Sequence, residues 1–138
     1  GDGPDFELVK KLIKEYNLEK KVILMGRMRN PFPYVKASDS FLMCSRYEPF
    51  GLVVLEAMIL GVPVISTDVA SIKEIMNEEY GMIVDNSEEG LYNGLKKIIK
   101  DAKILNRYKK NLSKFEYNID DIVLKIERLL DEVKNEDF

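Results

Sequence analysis

Two glutamates eight residues apart, Glu48 and Glu56, bracket the stretch of this sequence best equipped for chemistry. Between them a polar loop passes through Phe50-Gly51-Leu52-Val53 into an apolar run that ends at Leu60. The run reads as a helix that opens at Phe50-Gly51. The first N–H groups of a helix have no partner inside it, and the helix dipole adds to their pull on anions. Glycine at that entrance lets a ligand approach the backbone closely. Glu56 is the only charge from Phe50 to Leu60. A helix apolar all round is a buried helix, and a buried carboxylate is costly without hydrogen-bond donors. Either a distant Lys or Arg pairs with Glu56, or Glu56 faces a ligand carrying hydroxyls. Anion-binding amides flanked by two hydroxyl-accepting carboxylates suit a nucleotide sugar: diphosphate in the middle, ribose diol on one side, hexose hydroxyls on the other. Two glutamates at this spacing often arise by chance. The position between a buried strand and an apolar helix gives the pattern its specificity.

The elements that would hold these groups follow from the apolar runs. Val22–Met25, Phe41–Cys44, Val62–Ile65 and Met82–Val84 are short and continuously apolar, which predicts four buried strands. Helical spacing predicts a helix through Leu8, Val9, Leu12, Ile13 and Tyr16, opened by Gly1-Asp2-Gly3-Pro4. A short helix is expected near Val35–Ser38, after the rigid Asn30-Pro31-Phe32-Pro33-Tyr34 loop. Gly61 stands where a helix C-terminal cap prefers glycine. Ser71-Ile72-Lys73-Glu74 fits a capping box. The remainder, about 88–135, is helical by its spacing. Strands and helices alternate, and the strands are not half-polar. The fold class is α/β, a Rossmann-like doubly wound parallel sheet, in one partial domain spanning 1–138. Ligands in such sheets bind outside the carboxyl ends of the strands, which singles out loops 26–33, 45–51 and 66–71.

The 138 residues hold 46% hydrophobic and 33% charged residues, the balance of a globular chain with a single core. With no His, imidazole catalysis and His-ligated metals are excluded. The single Cys excludes an intrachain disulfide and a cysteine metal clip. Cys44 itself reads as an inert core thiol. The net charge of −3 gives no reason to expect nucleic acid as a partner. No apolar run approaches the ~20 residues of a membrane span, and the opening residues lack the pattern of a signal peptide. A cytoplasmic location is the expectation. Residues 96–114 carry eight Lys or Arg against one Asp. Such a run is more often a solvated face than a contact, but it could hold the protein peripherally at the inner face of an anionic membrane.

The segment Ser45-Arg46-Tyr47-Glu48-Pro49-Phe50-Gly51-Leu52-Val53-Val54-Leu55-Glu56-Ala57-Met58, followed by Gly61-Val62-Pro63-Val64-Ile65-Ser66-Thr67-Asp68, closely resembles the C-terminal, donor-binding domain of retaining GT-B glycosyltransferases. That group includes glycogen synthases and many bacterial polysaccharide transferases. The similarity extends from Gly1 through Val84, and Asn30-Pro31-Phe32-Pro33-Tyr34 is most like transferases that build cell-surface polysaccharides. The resemblance implies a nucleotide diphosphate sugar as donor substrate and neither cofactor nor metal. It implies that Glu48 contacts the hydroxyls of the transferred sugar and belongs to the catalytic centre. Glu56 would bind the ribose hydroxyls. The amides of Phe50, Gly51, Leu52 and Val53 would touch the sugar and distal phosphate. Arg27 matches a position beside the nucleotide base, where its planar guanidinium can stack. The plainer reading of Arg27 is a solvated loop charge.

The sequence also departs from the family. Its phosphate-clamping Arg and Lys, and the N-terminal domain that holds a sugar or lipid-linked acceptor, precede the stretch matched here. The chain therefore reads as an N-terminally truncated donor domain, inactive alone. A non-catalytic nucleotide-sugar-binding or assembly module with the same fold is the alternative. The family's glycine pair before the Glu74 helix is here Ala70-Ser71. In the strand order 3-2-1-4-5-6 usual for such domains, the kept strands are the third to sixth. Val22–Met25 would then lose its neighbour, and Phe41–Cys44 would become an edge. Either those two segments pair directly, or a second copy fills the gap, or the missing strands lie elsewhere in the protein.

Overall fold

The computed structural model describes residues 1–118, and they fall into two compact units, Gly1–Tyr34 and Val35 onward. The end of the helical segment expected over 88–135 lies outside the described residues.

In the first unit, helix α1 (Phe6–Glu15) buries Ile13. It closes on Asn17, a left-handed residue at φ 55°. The Asn17 and Leu18 amides return to the Lys14 and Ile13 carbonyls at 3.1 and 2.8 Å, the paired bonds of a Schellman end. The Gly1 ammonium donates to the Gly26 carbonyl at 2.6 Å. Val22–Met25, expected as a strand, belongs to none. A strand exists only through bonds to a neighbour, and among the described residues none pairs with this segment; Ile23 is 76% exposed.

Helix α2 (Phe32–Lys36) spans the boundary and leads to the sheet of the second unit. Strands β1 (Phe41–Met43), β2 (Val64–Thr67) and β3 (Gly81–Val84) pair in parallel in the order β1-β2-β3. Phe41, Val64 and Gly81 share one register position, and Leu42, Ile65 and Met82 share the next. β2 begins two residues later than its apolar run. Val62 is used instead to finish the preceding helix, α3 (Leu52–Ile59), whose end is again a Schellman turn. There Gly61, at φ 76°, and Val62 donate to the Met58 and Ala57 carbonyls, each at 2.9 Å.

Side chains alternate across the strands, so the two sheet faces build two cores. On one face Met43 and Val64 pack with Val54, Ala57 and Met58 of α3 and with Ile72 of α4 (Ala70–Ile75). On the other, Ile65 and Val84 meet Ile98 of α5 (Glu88–Lys100), with Ile104 and Leu105 of α6 (Ala102–Leu112) alongside. Ser87 caps α5 by accepting from the Gly90 amide at 3.0 Å, and Asp101 caps α6 through the Lys103 amide at 3.0 Å. The helices expected from spacing within residues 1–118 are present, and the parallel sheet covered on both faces confirms the α/β reading.

Candidate functional site

Because the three strands are parallel, their carboxyl ends open on the same side of the sheet, where the loops following them meet. The longest of these, 44–51, runs from β1 to α3. Side chains from two neighbouring strand ends and from α4 hold it by its carbonyls. Thr67 Oγ1, at the end of β2, donates to the Ser45 carbonyl at 2.6 Å. Asn86 Nδ2, beyond β3, donates to the Arg46 carbonyl at 3.1 Å. Ser71 Oγ, in the first turn of α4, donates to the Glu48 carbonyl at 2.5 Å.

The Glu48 carboxylate folds back over the start of α3. Its Oε1 accepts from the Gly51 amide at 3.0 Å and the Phe50 amide at 3.2 Å. Its Oε2 has no partner among the described residues. Two of the four amides expected to face an anion are thus already bonded to Glu48. The Leu52 and Val53 amides, by contrast, donate to no group among the described residues, because the helix's own bonds begin with Val54 and Leu55 to the Gly51 carbonyl. Gly51 is left-handed, at φ 65° and ψ 22°. A β-carbon there would lie 2.8 Å from Ile72 Cδ1 and 2.9 Å from Ile75 Cδ1. Glycine at this position therefore serves the close packing of the α3 entrance on α4.

The expected burial of Glu56 is corrected. Its side chain is exposed and makes no hydrogen bond or ion pair among the described residues, so neither a buried carboxylate nor a distant basic partner is present. α3 buries only one side, through Val54, Leu55, Ala57 and Met58. Leu52 is 61% and Ile59 57% exposed, and Glu56 shares their side of the helix. Four residues of helical rise put Glu56 about 6 Å along the axis from Leu52, with the two free amides at the head of that side.

Arg27, in the first unit, is exposed and unpaired among the described residues. Cys44 is corrected from a core thiol to an exposed one, since it falls one residue past the end of β1. The Ser71–Glu74 capping box is not formed: Val69 precedes α4 in extended conformation, no side chain caps it, and the Ser71 hydroxyl is engaged by Glu48. Thr67, Ser71 and Asn86 escaped the sequence reading as supports of the 44–51 loop. The strand-end rule pointed to the 66–71 loop. Applied to the fourth predicted strand, it would have added Asn86 as well. A separate groove of about 640 Å³ runs along β3 and α5, lined by Asp85, Ser87, Asn93 and Lys97 among others, and none of the candidate residues borders it. It follows β3, the edge strand of the sheet among the described residues.

Comparison with known proteins bears on what this loop arrangement serves. The sequence is 34% identical over 112 residues to a Campylobacter jejuni N-acetylgalactosaminyltransferase named for a diphospho-undecaprenol-linked saccharide, a match covering 79% of this chain and 31% of that protein. The fold superposes on the C-terminal domain of a Francisella tularensis glycosyl transferase group 1 family protein with a TM-score of 0.69 at 29% identity, covering 85% of this chain and 66% of the other. It also superposes on Anabaena HepE in complex with UDP, with a TM-score of 0.72 at 25% identity, covering 93% and 38%. The chain thus spans about a third of the length of such full-length relatives. Residues 1–115 match the family described as glycosyl transferases group 1. With the parallel sheet, the tethered 44–51 loop and these relatives in agreement, the chain belongs to the group 1 glycosyltransferases and carries part of the C-terminal domain of their GT-B fold.

Proposed function

We propose that the chain is the donor-binding portion of a retaining glycosyltransferase that moves a sugar from a nucleotide diphosphate donor in cell-surface polysaccharide or glycolipid synthesis. One observation carries the reading: at the α3 entrance, Leu52 and Val53 amides without partners among the described residues stand beside a Glu48 carboxylate whose second oxygen has none there either. The two amides would hold the distal phosphate, where the helix dipole favours negative charge. Glu48 Oε2 would accept a hydroxyl of the transferred sugar, and Glu56 would accept the ribose diol. Arg27 would lie beside the base. No metal enters this reading, since the helix terminus and basic side chains supply the positive potential. Retention needs the leaving diphosphate neutralised and an acceptor held close to the anomeric carbon, so turnover requires the N-terminal half of the enzyme and its sugar or lipid-linked acceptor.

A cytoplasmic protein in peripheral contact with an anionic membrane completes the reading. No helix among the described residues is long and apolar enough to cross a membrane. Along α5, Tyr92 is 62% and Ile99 81% exposed, and both share a side of the helix with exposed Lys96 and Lys100.

Calorimetric titration of the full-length protein with UDP and with GDP tests the donor site. Binding of one of them is expected, and no binding of any nucleoside diphosphate at millimolar concentration would refute it. In the same protein, Glu56→Ala should weaken nucleotide affinity roughly ten- to a hundredfold, the loss of a charged hydrogen-bond partner. Glu48→Ala should alter nucleotide affinity less and turnover more. Equal losses of donor affinity in both variants would contradict the assignment of ribose to Glu56 and sugar to Glu48.

A further inference from the structure

Ser71 stands where the family resemblance leads one to expect glycine, and its hydroxyl does something glycine cannot. Partly buried between α4 and the 44–51 loop, it donates to the Glu48 backbone carbonyl at 2.5 Å. Glu48 is thereby gripped twice. Its carbonyl is fixed from outside by Ser71, and its carboxylate is fixed from within by the Phe50 and Gly51 amides. The remaining carboxylate oxygen has no partner among the described residues. Ile72 and Ile75, on the same short helix as Ser71, close against Gly51, so α4 bears on both ends of the Glu48–Gly51 turn. Thr67 and Asn86 fix the Ser45 and Arg46 carbonyls earlier in the loop.

From this we propose that Ser71 is a positioning residue for Glu48, setting where the free carboxylate oxygen meets the transferred sugar. The inference rests on the donor-site reading above and adds a residue to it. Ser71 reaches only the backbone of Glu48 and bonds to neither of the free amides at Leu52 and Val53. Its contribution therefore belongs to the sugar and not to the nucleotide. A single neutral hydrogen bond of this kind corresponds to a roughly three- to tenfold effect.

The test compares bare and sugar-bearing nucleotides on the full-length protein by calorimetry: UDP with UDP-glucose, and GDP with GDP-mannose. Ser71→Ala should leave the affinity for the bare nucleotide unchanged and reduce the gain from the attached sugar by about three- to tenfold. Ser71→Thr, which keeps the hydroxyl, should restore that gain. In a Glu48→Gln background Ser71→Ala should have no further effect on it. Equal loss for bare and sugar-bearing nucleotides, an unchanged sugar gain in Ser71→Ala, or failure of Ser71→Thr to restore it would each overturn the proposal. Binding of no nucleotide by the unaltered protein would instead refute the donor site itself, and Ser71's role with it. Circular dichroism of each variant establishes that it is folded.

Discussion

Gly51→Ala is expected to destabilise the fold by about 2–5 kcal/mol and to abolish detectable nucleotide binding. Two penalties add. A left-handed backbone costs a residue with a β-carbon about 1–2 kcal/mol, and Gly51 sits at φ 65°. The new methyl would also fall 2.8 and 2.9 Å from the δ-carbons of Ile72 and Ile75. Both side chains would have to leave their places in or beside the core, an overpacking cost of about 1–3 kcal/mol. Relief comes most cheaply by rotating the α3 entrance away from α4. That rotation breaks the Gly51 amide's bond to Glu48 and re-aims the Leu52 and Val53 amides together. Urea unfolding and UDP titration of the variant measure the two effects. A stable variant that binds UDP normally would mean that the α3 entrance is not where the phosphate is held.

Met58→Ala should cost about 2–5 kcal/mol of stability. Met58 is fully buried in the core that joins α3 to the sheet, among Val54, Val64, Val69 and Ile72. Removing its thioether chain leaves a cavity walled by residues on different elements, which cannot all relax inward. The substitution lies on the side of α3 opposite Glu56, so nucleotide affinity should hold at temperatures where the fold does. A loss below about 1 kcal/mol, read by the same urea unfolding, would show that the core collapses around the gap more readily than its close packing implies.

The contrast between Met58 and Glu56 shows what was legible in the sequence. Continuous apolar runs gave three parallel strands correctly, because a strand buried on both faces needs no polar alternation. Gly61 marked the end of α3 because the Schellman turn demands a left-handed residue there. The loop holding Glu48 was legible for the same reason: a polar break between two apolar runs must lie at a strand end.

What failed was the inference from an apolar helix to a buried one. Leu52, Val53 and Ile59 are apolar yet exposed, because hydrophobicity records what a surface favours and not what covers it among these residues. Val22–Met25 failed similarly: its composition suits a strand, but pairing needs a neighbour that its own sequence cannot supply. At Ser71 the local capping pattern lost to a partner 23 residues away. Asn86 reaches across 40 residues to Arg46, and no local spacing encodes such a bond.

The measurement that bears most directly on the donor site is amide NMR of the full-length protein labelled with ¹⁵N-leucine and ¹⁵N-valine, titrated with UDP and with GDP. On binding of either nucleotide, the Leu52 and Val53 amide resonances should move downfield together as they take up the phosphate, while Leu91, on the α5 side of the sheet, stays in place. Nucleotide binding that leaves Leu52 and Val53 unmoved would contradict the assignment of the phosphate to the α3 entrance.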